Sequence, residues 1–221
     1  MSHLTRYEFN TARRGTRWLL SSPQRLHAAV LSSFPSELTQ SAEDGRILWR
    51  LDSRPHQTLL YMVSPHRPDL THLVEETGWP RIREWETRDY DPLLTRLAPG
   101  QRWTFRLTAN PAQSRRRSET ASRSQRFGHV TVAQQTQWLL DRVQKHGFAV
   151  VEGKSKEPDV AVQGRHTWKF TRSGQTVTIA TVVFEGTLEV TDPAALRFAL
   201  INGIGPAKGY GCGLLTLAAA R

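Results

Sequence analysis

RILWRL (46–51) and TLLYMV (58–63) decide the fold. Both segments are rich in branched and aromatic residues, and the polar stretch between them reads as a turn, so the pair predicts two neighbouring strands. Working outward, each side of the pair reads as a helix. Residues 22–33 form one, with Ser22 as N-cap and Pro23 at the first position, where its missing N–H costs nothing. Residues 69–77 (DLTHLVEET) form the other, capped by Asp69 or Thr71 and closed by Gly78. Farther out, HLTRYEFN (3–10) is β-prone with Tyr7 and Phe9 on one face, and RIREWETR (81–88) alternates again. Strand, helix, strand, strand, helix, strand is the ferredoxin-like order.

The second half repeats it. Pro99-Gly100 marks a linker, QRWTFRLTA (101–109) a strand, and Asn110-Pro111 its end. Residues 112–128 are polar, basic and almost without apolar side chains, and are expected to form a mobile loop. TVAQQTQWLLDRVQKH (131–146) reads as a helix capped by Thr131, with Trp138, Leu139, Leu140 and Val143 on its apolar side and Gly147 ending it. Strands are expected at 148–151, 166–171 and 176–190, with Gly186 marking a bend or bulge in the last. Asp192-Pro193 opens a helix over 192–202, and residues 213–218 close the half as a strand. The expectation is an α+β chain of two tandem ferredoxin-like (RRM-like, βαββαβ) domains, 1–97 and 98–221.

The charge points to a polyanionic partner. Among 221 residues, 30 are Lys or Arg and 20 Asp or Glu, a formal net charge of +10. Such an excess draws nucleic acid, although a soluble protein can also simply be basic. Neither a long basic amphipathic helix nor an apolar run of roughly 20 residues is present, which argues against a membrane. Cys212 is the only cysteine, so no intramolecular disulfide forms. The opening MSHLTRYEFN reads as a strand and not as a signal peptide, and a cytoplasmic location is expected.

Three features can carry chemistry. The first is GIGPAKGYGCG (203–213), with five glycines between a helix and a strand. Its N–H groups can cradle phosphate, with Gly205 allowing close approach and Lys208 adding charge, or it can be only a tight turn. It lacks the Gly-Lys-Ser/Thr ending of a Walker loop. The second is the arginine run Arg115, Arg116, Arg117, Arg123 and Arg126, which can follow a phosphate backbone or enter the deep groove of an RNA hairpin. Lys169 and Arg172, around Ser173-Gly174, form another basic tip. The third is His27, at the edge of the buried face made by Leu26, Ala29 and Val30. A lone histidine is commonly structural. Metal-free RNA cleavage nevertheless asks for this type, because the 2′-hydroxyl must lose a proton and the leaving 5′-oxygen must gain one. No G-x-S-x-G elbow, HExxH motif or zinc-ligand spacing is present, and the acids show no two-metal cluster, so neither metal nor cofactor is expected.

LHAAVLSSFP (26–35), RILWRL (46–51), LLYMVSP (59–65), PGQRWTFRLTANP (99–111), VTVAQQTQWLL (130–140), FEGTLEVTDP (184–193) and above all GIGPAKGYGCGLL (203–215) resemble the CasE endoribonucleases of type I-E CRISPR systems. The resemblance runs over essentially the whole chain. It implies two ferredoxin-like domains and a hairpin-forming CRISPR repeat RNA as substrate. It implies metal-independent cleavage at the 3′ base of the stem, giving a 2′,3′-cyclic phosphate and a 5′-hydroxyl. It also implies retention on the product hairpin within the RNA-guided Cascade complex. The family's catalytic histidine falls on His27. Its tyrosine three residues earlier, in Y-x-x-H, falls on Gln24, which can orient a phosphate or hydroxyl but cannot titrate. The resemblance places the 115–126 arginines on the repeat hairpin and the 203–213 loop, with Gly205 and Lys208, near the bound RNA. His27 would then work with Lys208, Lys169 or Arg172. The rival readings are a hairpin-binding structural subunit that does not cut and a general RNA chaperone.

Overall fold

The computed structural model describes residues 1–35, 45–80, 85–116, 124–153 and 155–220, with the backbone alone at 113–116 and 124–127. In chain order the first half holds β1 (His3–Phe9), α1 (Arg14–Leu20), α2 (Pro23–Leu31), β2 (Leu48–Arg54), β3 (Gln57–Ser64), α3 (Thr71–Thr77), β4 (Glu86–Asp89) and α4 (Asp91–Arg96). The second half holds β5 (Arg102–Ala109), β6 (Ala112–Arg116), β7 (Ser124–Gly128), α5 (Val132–Val143), β8 (Phe148–Val150), β9 (Val160–Arg172), β10 (Gln175–Val190), α6 (Pro193–Asn202) and β11 (Leu215–Ala219).

Two antiparallel sheets follow. The first has the order β2-β3-β1-β4 and the second β11-β5-β10-β8, with β9 added on β10. Each reads 4-1-3-2 in its own half, the ferredoxin-like order in both. The β2–β3 pair runs from Leu48↔Val63 down to Arg54↔Gln57, so the strands continue through most of the expected turn and leave Pro55-His56 to reverse the chain. Residues 81–84 of the strand expected at 81–88 lie outside the described residues, and β4 begins at Glu86.

Local signals set the helix ends. Thr131 accepts from the Gln134 backbone while the Gln134 side chain accepts from the Thr131 N–H, a complete capping box on α5. The helix tightens into a 3-10 turn over Gln144–His146, and Gly147, at φ 76°, stops it. Asp192 accepts from the Ala194 and Ala195 N–H groups to open α6. Helices α1 and α4 were not expected. RGTRWLL carries a glycine and has no N-cap bond, so packing supports α1; α4 has Asp91-Pro92 at its start and Asp89 accepting from the Asp91 N–H at 2.9 Å, but at six residues it is too short to stand out.

The mobile loop expected at 112–128 is corrected at its two flanks, while residues 117–123 lie outside the described residues. Ala112↔Gly128 through Arg116↔Ser124 pair as an antiparallel ribbon, β6–β7. A ribbon satisfies its backbone donors and acceptors across the pair and needs no apolar face, so a polar sequence conceals it. The bulge is also placed differently. The register of β10 on β9 shifts between Thr181 and Val183, whereas Gly186 accommodates the Asp159 carbonyl, which a Cβ there would meet at 2.0 Å.

Two cores lie on the two sides of the first sheet. Tyr7, Phe9, Leu26, Val30, Leu60 and Met62 fill one. Leu48 and Val63, on the other face of the same sheet, belong to the core that Phe105, Leu139, Phe184 and Leu200 fill in the second half. The halves are therefore packed together rather than merely tethered. A buried ion pair joins them. Arg50 on β2, fully buried, binds both Asp52 oxygens at 2.8 and 2.9 Å. Its remaining N–H groups reach across to the carbonyls of Arg106 and Leu214 and to the Thr216 hydroxyl, at 2.9, 3.2 and 2.9 Å. Arg106 returns a 3.1 Å bond to Asp52 and pairs with Glu185.

Candidate active site

Helix α2 starts at Pro23, and its first two turns set Gln24 and His27 three residues apart, on neighbouring positions of one helical face. Val30 and Leu26 bury the adjacent face, which leaves His27 half-buried at the rim. The second half of the chain covers that rim. The glycine-rich loop turns there through a 3-10 turn at Lys208–Tyr210, and the β9–β10 hairpin leans in beside it.

The covering residues are specific. A Cβ built on Gly209 would lie 3.3 Å from both Cε1 and Nε2 of His27, so the glycine leaves that edge of the imidazole open. The Tyr210 ring stands 6.0 Å from the His27 ring and 4.9 Å from Phe170. Arg172 Nη1 donates to the Tyr210 hydroxyl at 3.1 Å. Burial, and secondarily the Arg172 charge, hold the His27 pKa below the ordinary histidine value, so the ring is neutral near pH 7. Two buried polar atoms on α2 have no hydrogen-bond partner: Nδ1 of His27 and Oε1 of Gln24. Such atoms typically cost about 1–3 kcal/mol each when left unpaired, which is tolerated most readily where a ligand completes them.

The expected site residues divide by position. Along β9 the side chains alternate. His166 packs on Trp168 at 4.3 Å, and Phe170 and Arg172 face Tyr210, while Lys169, paired in register with Thr178, points from the opposite face. Of the three cations considered for His27, Arg172 is therefore the one beside it. Lys208 lies elsewhere, with Arg46 and His146: burial and Arg46 lower its pKa, and Lys208 in turn helps lower that of His146. Gly205 is a packing position. Its φ is +82°, and a Cβ there would sit 2.8 Å from the Trp138 indole. Arg115, Arg116 and Arg126 lie on the β6–β7 ribbon, while Arg117 and Arg123 lie outside the described residues. Cys212 is fully buried and its thiol is pushed up to about 12, which leaves it inert.

Tyr210 escaped the sequence reading, as did the Arg50–Asp52 pair. A cavity of about 460 Å³ opens next to Tyr210 between the two sheets, walled by Trp49, Arg106, His166 and Trp168.

The chain matches the CRISPR-associated protein family over residues 2–219. It is 31% identical over 222 residues to the CRISPR-associated endoribonuclease Cse3 of Thermus thermophilus, covering 97% of this chain and 99% of that one. The chain belongs to the Cse3/CasE family. The fold agrees at full length. Thermus thermophilus Cse3 bound to an RNA representing a pre-cleavage complex superposes with a TM-score of 0.76 at 31% identity, covering 98% of each chain. A subunit of a CRISPR RNA-guided surveillance complex in its pre-nicking form superposes at 0.69 with 25% identity, covering 99% of this chain and all of that one. Within a Cse3/CasE scaffold, His27 thus sits where α2 meets the glycine-rich loop.

Space beside His27 is open to direct test. Gly209 does not have a left-handed φ, and the atoms nearest a Cβ there belong to the His27 imidazole. Gly209→Leu is expected to lower single-turnover RNA cleavage about 10²-fold, the effect of a small misplacement at a reacting group. Its thermal midpoint should stay close to wild type. Unchanged cleavage would mean that the RNA does not approach this edge.

Proposed function

We propose that this chain is a metal-independent endoribonuclease. It cuts CRISPR repeat hairpins in precursor transcripts, leaves a 2′,3′-cyclic phosphate and a 5′-hydroxyl, and stays on the 3′ hairpin of the mature crRNA as a subunit of the type I-E Cascade complex. The observation that carries this reading is a neutral imidazole beside an arginine, under an open glycine edge, in a chain of this family.

The chemistry follows from the groups present. Neutral His27 takes the proton of the attacking 2′-hydroxyl. Gln24, three residues before His27 on the same helix, helps orient the substrate's phosphate or hydroxyl. Arg172 offsets the charge that builds on the phosphorane. The arginines of the β6–β7 ribbon, with Lys169 on the outer face of β9, hold the phosphates of the stem, and Lys208 with Arg46 extends the basic surface past the glycine-rich loop. No cofactor takes part, and the reaction belongs in the cytoplasm with the transcripts it processes.

The test is single-turnover cleavage of the host's own repeat RNA with EDTA present. A cyclic-phosphate product at an undiminished rate is expected. Cleavage that needs added divalent metal would overturn the mechanism. Tight hairpin binding without product would favour the alternative, a structural subunit that holds the crRNA without cutting it, a reading that the non-titrating Gln24 invites.

A further inference from the structure

We propose that Tyr210 is the general acid of the cleavage, donating its phenolic proton to the leaving 5′-oxygen. This rests on the endoribonuclease reading above and names the missing half of its proton transfer. One titrating group, His27, projects from α2, and the position one turn earlier holds Gln24, which cannot give or take a proton. In-line displacement at phosphorus needs a base on one side and an acid on the other.

Tyr210 stands where that second group is needed. It reaches the His27 rim from the opposite half of the chain, with its ring 6.0 Å from the imidazole, an aromatic contact that sets the phenol and the imidazole side by side on one rim. Phe170 packs against its ring at 4.9 Å and fixes its direction. The bond from Arg172 sets the direction of proton donation. A guanidinium only donates, so at 3.1 Å the Tyr210 oxygen is the acceptor, and the phenol's own hydrogen remains free for another partner. The same guanidinium stabilises the phenolate left after transfer.

The step balances. The 2′-oxygen passes its proton to His27 and forms a bond to phosphorus. The bond from phosphorus to the 5′-oxygen breaks, and that oxygen takes the Tyr210 proton. Imidazolium and phenolate then return to their starting forms by exchanging one proton through solvent. No oxidant, metal or further reactant enters.

The experiment compares wild type, Tyr210→Phe and His27→Ala in single-turnover cleavage of two repeat hairpins. One has a normal scissile phosphate. The other has sulfur in place of the bridging 5′-oxygen, a leaving group that departs as a thiolate without a proton. On the normal RNA, Tyr210→Phe is expected to lose about 10²–10⁴-fold in rate, with hairpin affinity unchanged. On the sulfur-bridged RNA its rate should return to within a few-fold of wild type, while His27→Ala stays slow. A wild-type rate for Tyr210→Phe on normal RNA overturns the proposal. So does an equal defect on both RNAs, which would make Tyr210 a positioning residue for Arg172 or the RNA. If the wild type itself cuts neither RNA, the endoribonuclease reading fails, and this inference falls with it.

Discussion

His27→Ala lowers the single-turnover rate on a repeat hairpin by about 10²–10⁴-fold, the usual contribution of one positioned proton-transfer group, and leaves hairpin affinity where it was. The second half of that expectation follows from the site's layout. His27 is a half-buried group at a rim, whereas the arginines proposed to hold the stem are carried by the β6–β7 ribbon. The pH profile carries the sign of the role. Burial and Arg172 favour the neutral ring, so its folded-state pKa lies below the ordinary histidine value. A base is active when unprotonated. Cleavage should therefore be flat through neutral pH and fall only as the pH drops through that lowered value, about tenfold per unit. His27→Ala should lack this limb. If its residual rate shows the same limb, or if cleavage and binding vanish together, the role assigned to His27 is wrong.

Asp52→Ala should unfold the protein far more readily, by roughly 3–5 kcal/mol. Arg50 is 2% exposed, and two of its five hydrogen bonds go to Asp52. Removing the carboxylate leaves a guanidinium charge in the interior with carbonyls but no counterion. Arg106 loses its Asp52 bond as well. For a chain of this length the thermal midpoint should fall by roughly 6–20 °C. Asp52→Asn, which keeps one acceptor, should lose less. Urea titration of the three proteins checks the order, and a loss under about 1 kcal/mol for Asp52→Ala, the range of an exposed pair, would show that the pair is not the staple between the sheets.

The features legible in the sequence were those with local causes. The β2–β3 hairpin, the Thr131–Gln134 box, the Asp192-Pro193 opening and the Gly147 stop are each set by residues within a few positions of one another. The β6–β7 ribbon was not legible, because its strands lack the apolar alternation that betrays a half-buried strand. Helices α1 and α4 have only seven and six residues, too few to show an apolar stripe, and burial of Leu19 and Leu94 supports them. At the site, His27 was visible from its residue type at the edge of a helix face, and Gln24 through the resemblance, as the position three residues before it. Arg172 was one of three candidate cations, and only the alternation of β9 separates it from Lys169, whereas Tyr210 was not legible because it arrives from a loop far along the chain. The Gly205 position adds a cause that the sequence did not show: its Cβ would meet the Trp138 indole at 2.8 Å.

The division of the site between α2 and the glycine-rich loop has a consequence for biosynthesis. A ribosome adds roughly 5–20 residues per second, so on the order of ten seconds or more passes between the emergence of His27 and that of Tyr210. Throughout that interval the nascent chain displays a histidine without Tyr210 and without the covering glycine-rich loop. It is also surrounded by RNA, the ribosome's own and the message. The wall that the glycine-rich loop gives the His27 site is therefore absent while the growing chain lies beside its most abundant wrong substrates.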